Sequence, residues 1–146
     1  MTIVNLHPRR AARQCVLEAL FAYEFSKNDA LSIVNQIINK NSQVKANQDF
    51  IHFLFECVLK NIKWSEDIIK SHLENWEIDR VAQIDRILLK MGICEIHFID
   101  DIPPKVTISE MVEISKIYST DESPIFINGI LDLSLIHISE PTRLAT

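Results

Sequence analysis

Apolar residues recur at helical spacing along almost the whole chain. Over the first stretch, Ala12, Cys15, Val16, Ala19, Leu20 and Tyr23 fall three or four positions apart, which places them on one face of a helix. Pro8 suits the opening of that helix, and the pattern carries it to about Phe25. A second helix from about Asp29 to Lys40 turns Leu31, Val34, Ile37 and Ile38 inward. The polar run N-K-N-S-Q-V-K-A-N, residues 39–47, predicts a loop. From about Gln48 to Asn75 the stripe Phe50, Phe53, Leu54, Cys57, Val58 and Ile62 predicts a long third helix. Ser65 can cap a fresh turn, so a break near Trp64 is expected. Ile78 to Phe98 is the next helix, with Val81, Ile84, Ile87, Leu88 and Met91 inward. No alternation of period two persists, so the chain is predicted to be all-α. Six or seven helices joined by short loops imply two small packed bundles.

The clearest punctuation lies in residues 102–132. Pro103 and Pro104 stop whatever precedes them. Thr107 and Glu110 have capping-box spacing, and Ser123 followed by Pro124 reads as a second helix start. Asn128 falls inside that last helix, where asparagine is disfavoured. It is expected to be a buried hydrogen-bonding anchor first and a partner contact second.

Composition narrows the class. A chain of 146 residues, 47% hydrophobic with mean hydropathy +0.08, can bury a core as one domain. Its net charge of −5 excludes wholesale coating of nucleic acid, so any such contact must be a local basic patch. Cys15, Cys57 and Cys94 share no metal-ligand spacing and read as small reduced hydrophobes in or near the core. The first six residues lack the basic and apolar runs of a signal peptide, and a cytoplasmic protein is expected. The apolar run from Ile125 to Ile138 is too short to span a membrane.

Candidate chemistry is basic and aromatic. Arg9, Arg10 and Arg13 crowd the first turns of the first helix, and Arg13, Leu17 and Phe21 are spaced by four. Those residues fit either a solvated basic face with Phe21 in the core, or a single-strand RNA face. In the second case guanidinium groups meet phosphates and the ring stacks a base. Arg86, Lys90 and His97 share a face of the fourth helix and are open to the same two readings. Lys105 and Lys116 are weaker phosphate candidates, and Glu95 reads as a structural acid near the proline turn. Catalysis finds no support: His7, His52, His72, His97 and His137 share no ligand spacing. No nucleotide-cradling or nucleophile motif occurs, and two glycines cannot build a phosphate loop. No cofactor or metal is expected.

Three motifs carry a resemblance. Residues 102–132 resemble the C-terminal half of the NusB family of bacterial transcription antitermination factors. That family runs roughly I-P-x-x-V-x-I-N-E-x-V-E-[LI]-[AS]-K, then S-x-x-F-[VI]-N-G-[VI]-L-D. The chain follows it at Ile102, Pro103, Val106, Ile108, Glu110, Val112, Glu113, Lys116, Phe126, Asn128, Gly129, Leu131 and Asp132. It departs at Ser109, where Asn is usual, and at Ile125, where a basic residue is usual. The H-P-R-R-A-A-R opening resembles the family's arginine-rich helix, and Trp76 to Ile96 its W-x-[LI]-x-R-[LIV] stretch. The resemblance spans nearly all of residues 7–132 and implies a NusB-like helical fold.

It also implies binding of boxA-type single-stranded RNA together with NusE, a small-subunit ribosomal protein, within the RNA polymerase antitermination complex. On the first helix it favours the RNA reading, with Phe21 where the family commonly has tyrosine. Lys90 stands where arginine is common, so the charge is kept and the bidentate fork lost. The RNA-binding set implied is Arg9, Arg10, Arg13, Phe21, Arg86 and Lys90, with Asp121 and Glu122 as partner-binding candidates.

Two alternatives stand beside it. One is the NusB-like N-terminal domain of an rRNA cytosine methyltransferase, whose V-N-A-[VI]-L-R ending differs from I-N-G-I-L-D here. The other is a helical interaction module with no RNA role. Finally, residues 133–146 read L-S-L-I-H-I-S-E-P-T-R-L-A-T, and Leu133 to Arg143 resembles an in-frame translation of a transposase sequencing adapter. Residues 1–132 are therefore expected to form the domain. The remainder is expected to be a foreign tail with no place in the core.

Overall fold

The computed structural model describes residues 8–26, 29–73 and 77–144, without the side chains of 139–144. His7, Asn75 and Trp76 lie outside the described residues. Seven α-helices occur among those residues, with two short 3-10 segments and no strand. They fall into two compact units, residues 1–57 and 58–146.

In the first unit, α1 (Pro8–Ser26) packs against α2 (Ala30–Lys40) and a 3-10 turn (Ser42–Asn47). The polar run expected to be a loop thus has its own turn, pinned by the buried Val44. The rest of the unit is α3 (Gln48–Lys60), whose last three residues belong to the second unit. The α1 stripe is buried as its spacing predicts, except that Tyr23 is half-buried. On α2, Val34, Ile37 and Ile38 are buried but Leu31 is exposed.

The α3 stripe is rotated by one position from the expected one. Ile51, Leu54, Phe55 and Val58 are buried, while Phe53 is 47% exposed. Both sets have helical spacing, and only packing chooses between them. The long third helix breaks at Asn61, three residues before Trp64, and α4 (Ile62–Lys70) follows. Asn61 leaves helical geometry with φ −124° and ψ 31°. The Ser65 hydroxyl caps nothing; it bonds back to the Ile62 carbonyl at 3.1 Å. Ile62 is exposed.

In the second unit, a 3-10 turn (Ile78–Arg80) precedes α5 (Gln83–Phe98). The expected helix from Ile78 is therefore split, and Ile84 is only half-buried. Next come α6 (Pro104–Tyr118) and α7 (Ser123–Leu144), and α5, α6 and α7 pack on one another. Gly92 allows a close approach. A Cβ there would lie 2.9 Å from Leu131 Cδ1 and 3.5 Å from Met111 Cγ.

Neither expected helix start uses its hydroxyl as a cap. Pro104 starts α6 three residues before Thr107, because Pro103 presets extended geometry (φ −60°, ψ 139°) and proline is favoured at the next position. Thr107 is thereby a buried helical residue that donates its hydroxyl proton to the buried Glu95 of α5. Glu95 is a structural acid, as read, but its acceptor role is to join two helices. Ser123 is the first residue of α7, and its hydroxyl donates to Asp85 Oδ2 at 2.8 Å. Ser119 donates to the other Asp85 oxygen at 2.6 Å. Asp85 thus ties the first turn of α5 to the α6–α7 turn.

Beyond Asp132 the helix continues. Ser134 and Ile138 are buried, and His97 Nδ1 donates to the Ile138 carbonyl at 2.7 Å. Leu133 and Ile136 are 60% and 69% exposed. The expectation that nothing past Asp132 enters the core fails at the two buried positions.

Candidate nucleic-acid-binding residues

In the first unit, α1 presents its arginines unequally. Arg9 and Arg10 are partly exposed, but Arg13 is 2% exposed and Leu17 is fully buried. The expected solvent face of Arg13, Leu17 and Phe21 is therefore wrong at its first two members. Packing of α1 on α2 and the 3-10 turn covers this side, and α3 adds a ring: the Phe50 centroid lies 4.2 Å from the Arg9 guanidinium carbon and 5.4 Å from that of Arg13. A guanidinium over an aromatic face is attracted by the ring quadrupole. Arg13 is thus a packed residue, and Arg9 and Arg10 are the cations that α1 offers to a ligand. Phe21 is half-buried and meets the 71% exposed Phe25 edge to face, with centroids 4.8 Å apart. The pair leaves ring surface open for stacking.

Close by, the Cys15 thiol is pushed up to about 12, by burial first and then by the Glu18 carboxylate. It is a packing group, not a nucleophile. Cys94 is likewise buried, Cys57 is half-buried, and none of the three is in a disulfide.

In the second unit, Lys90 does not lie on a solvated face. Its side chain is 12% exposed and reaches Glu66 of α4 at 2.8 Å. Arg86 is more open and only loosely paired, with Asp79 at 3.9 Å. His97 leaves their company, since it is held by Ile138 and lies 4.9 Å from the Trp64 ring. Lys105 is exposed, and Lys116 pairs with Glu113 on its own helix at 3.2 Å.

The same unit holds a cleft that residue patterning did not single out. Arg80, Ala82, Asp85, Glu122, Ser123 and Phe126 line it. Asp121 and Glu122 are both exposed, and Glu122 belongs to this wall. An arginine, an aromatic ring and a carboxylate around one cleft can meet a phosphate, a base face and a base amino group respectively. Only the motif spacing around Arg80 and Phe126 pointed there. Asn128 is exposed, contrary to the buried anchor expected, and lines a shallow groove with Lys105, Ser109 and Asp132. Among the described residues no group of three acidic, histidine or cysteine side chains is placed to hold a metal. No described helix is long and apolar enough to cross a membrane.

The profile of the NusB family matches residues 10–135, across both units. The chain belongs to the NusB family. The transcription antitermination protein NusB of Chloroherpeton thalassium is 41% identical over 126 residues, 85% of this chain and 59% of that protein. The chain thus spans little more than half of that relative's length. Among solved structures, T. maritima NusB superposes with TM-score 0.81 at 35% identity, covering 88% of this chain and 91% of that one. The antitermination factors NusB and NusE in complex with double-stranded RNA include a chain with TM-score 0.79 at 21% identity. That likeness covers 89% of this chain and 97% of the other, and it speaks for the fold. The all-α NusB fold expected from the motifs is the one observed. Of the NusB-derived RNA set, the first unit brings Arg9, Arg10 and Phe21 to positions with some exposure. It withdraws Arg13, and in the second unit Lys90 is largely covered by Glu66.

Proposed function

We propose that this protein is a transcription antitermination factor. It binds boxA-type single-stranded RNA of the rRNA leader together with NusE and joins the RNA polymerase antitermination complex in the cytoplasm. The observation that carries this reading is the family match across both units, with the basic opening of α1 retained. A relative bears the name transcription antitermination protein, and a NusB of the same fold was solved with NusE and RNA. The mechanism is recognition, with no bond made or broken. Arg9 and Arg10 supply phosphate contacts, Phe21 a stacking face, and Arg86 with the Arg80–Phe126 cleft a second set of contacts. Lys90 contributes by exchanging Glu66 for a phosphate. Asp121 and Glu122 are the partner-facing acids. Function resides in residues 1–132.

The test is the salt dependence of RNA affinity. A single-strand phosphate contact contributes about −0.7 to the slope of log affinity against log salt. Replacing Arg9 and Arg10 with Ala is expected to weaken binding and reduce the slope by about 1.4, two such contacts, with helicity unchanged. Equal affinity in the double variant and the parent would refute the assignment.

A further inference from the structure

Two guanidinium groups share one aromatic ring in the first unit, and the shared ring has a cost to explain. Arg9 and Arg13 are four positions apart on α1, where like charges repel. Both lie in its first two turns, where the macrodipole disfavours cations. Arg13 is almost fully removed from water. Packing alone would favour an apolar side chain at position 13. The half-buried Phe50 of α3 is the group that both cations face.

We infer that Phe50 is a positioning residue for RNA: its ring restrains the Arg9 guanidinium in advance for a backbone phosphate, with the buried Arg13 beside the same ring. The inference rests on the RNA reading above and deepens it. An arginine free in solution loses rotamer freedom when it meets a phosphate. One already laid on a ring has lost much of it in the folded protein. A guanidinium held over a ring face keeps its N–H edge, the edge that pairs with phosphate oxygens, for a ligand. Phe50 itself touches no ligand.

The experiment uses the full chain and a fluorescein-labelled single-stranded boxA-type RNA oligonucleotide. Phe50→Leu and Phe50→Met keep an apolar side chain but remove the π-face; Phe50→Tyr keeps it. Pentafluorophenylalanine at position 50 keeps the shape and inverts the quadrupole, which covers the case where the aliphatic variants fold poorly. The two aliphatic variants and the fluorinated ring are expected to weaken RNA binding about two- to fivefold, the range of an exposed cation–π contact. Their salt slope should be shallower by up to one contact, about 0.7. Phe50→Tyr should bind as the parent does. The upfield ring-current shift of the Arg9 side-chain signals should vanish in Phe50→Leu without any RNA present.

A purely structural Phe50 would lower the melting temperature and leave the slope and the fluorinated variant unchanged, which overturns the inference. So does parental affinity in Phe50→Leu when Arg9→Ala with Arg10→Ala binds weakly. If the double arginine variant also binds normally, the RNA reading fails and this inference falls with it.

Discussion

The buried Thr107–Glu95 bond is the sharpest place to test how α5 and α6 are held together. Both side chains are fully buried, and the hydroxyl donates to a carboxylate oxygen. Thr107→Val keeps the shape and replaces the hydroxyl with a methyl group. A hydrogen bond to a charged group is worth about 1.5–3 kcal/mol, and a buried acceptor left short of a donor carries its desolvation cost. The added methyl returns up to about 0.8 kcal/mol. The net expectation is a loss of about 1–2 kcal/mol, or roughly 4–16 °C in melting temperature for a unit of this size. Thr107→Ser keeps the donor and gives up only a methyl, so it should lose about 1 kcal/mol. Trp64 and Trp76 both fall in residues 58–146, so tryptophan fluorescence in urea reports unfolding of the unit that holds the bond. A valine variant as stable as the parent would show that Glu95 draws nothing from the hydroxyl. A serine variant that falls further than the valine would show that the methyl, not the bond, matters.

Other outcomes follow from single positions. Phe21→Ala should cost RNA affinity about 1–3 kcal/mol, the worth of a base stacked on a ring, with a smaller loss of stability because the ring is half-buried. Collapse of stability with normal RNA binding would place it in the core instead. Gly129 lies within α7, and a Cβ there would meet nothing within 4 Å. Gly129→Ala should therefore raise stability by about 0.8–1.0 kcal/mol, the helix-propensity difference, and a destabilised variant in urea titration would contradict the open space. Burial first and then His137 beside it lower the His72 pKa from its ordinary value, and its Nε2 is buried with no partner among the described residues. A group depressed in this way lends stability that is complete above about pH 6.5, the unfolded value. That stability is lost as pH falls through the lower folded value. Melting temperature should drop between pH 7 and pH 5, and His72→Gln should flatten the drop; identical pH profiles would assign it to other groups.

Much of this protein is written in local pattern. The all-α class, the α1 stripe and the family motifs all depend on spacing within a few residues, and spacing is what a sequence displays. The choice between two equally helical stripes is different. On α3 the sets beginning at Phe50 and at Ile51 have the same period, and only the neighbours packed against the helix select the second. The hydroxyls of Thr107 and Ser123 have capping spacing. Yet both residues sit inside their helices rather than at the cap position, and carboxylates twelve and thirty-eight residues away take their protons. Arginines four apart suggest a solvated face until α3 lays Phe50 across them, and Lys90 looks free until α4 brings Glu66 to 2.8 Å. Local spacing determined which residues share a helix and which family they belong to. Tertiary packing alone decided which cations keep their charge open to a ligand, because burial and pairing come from segments distant in the chain.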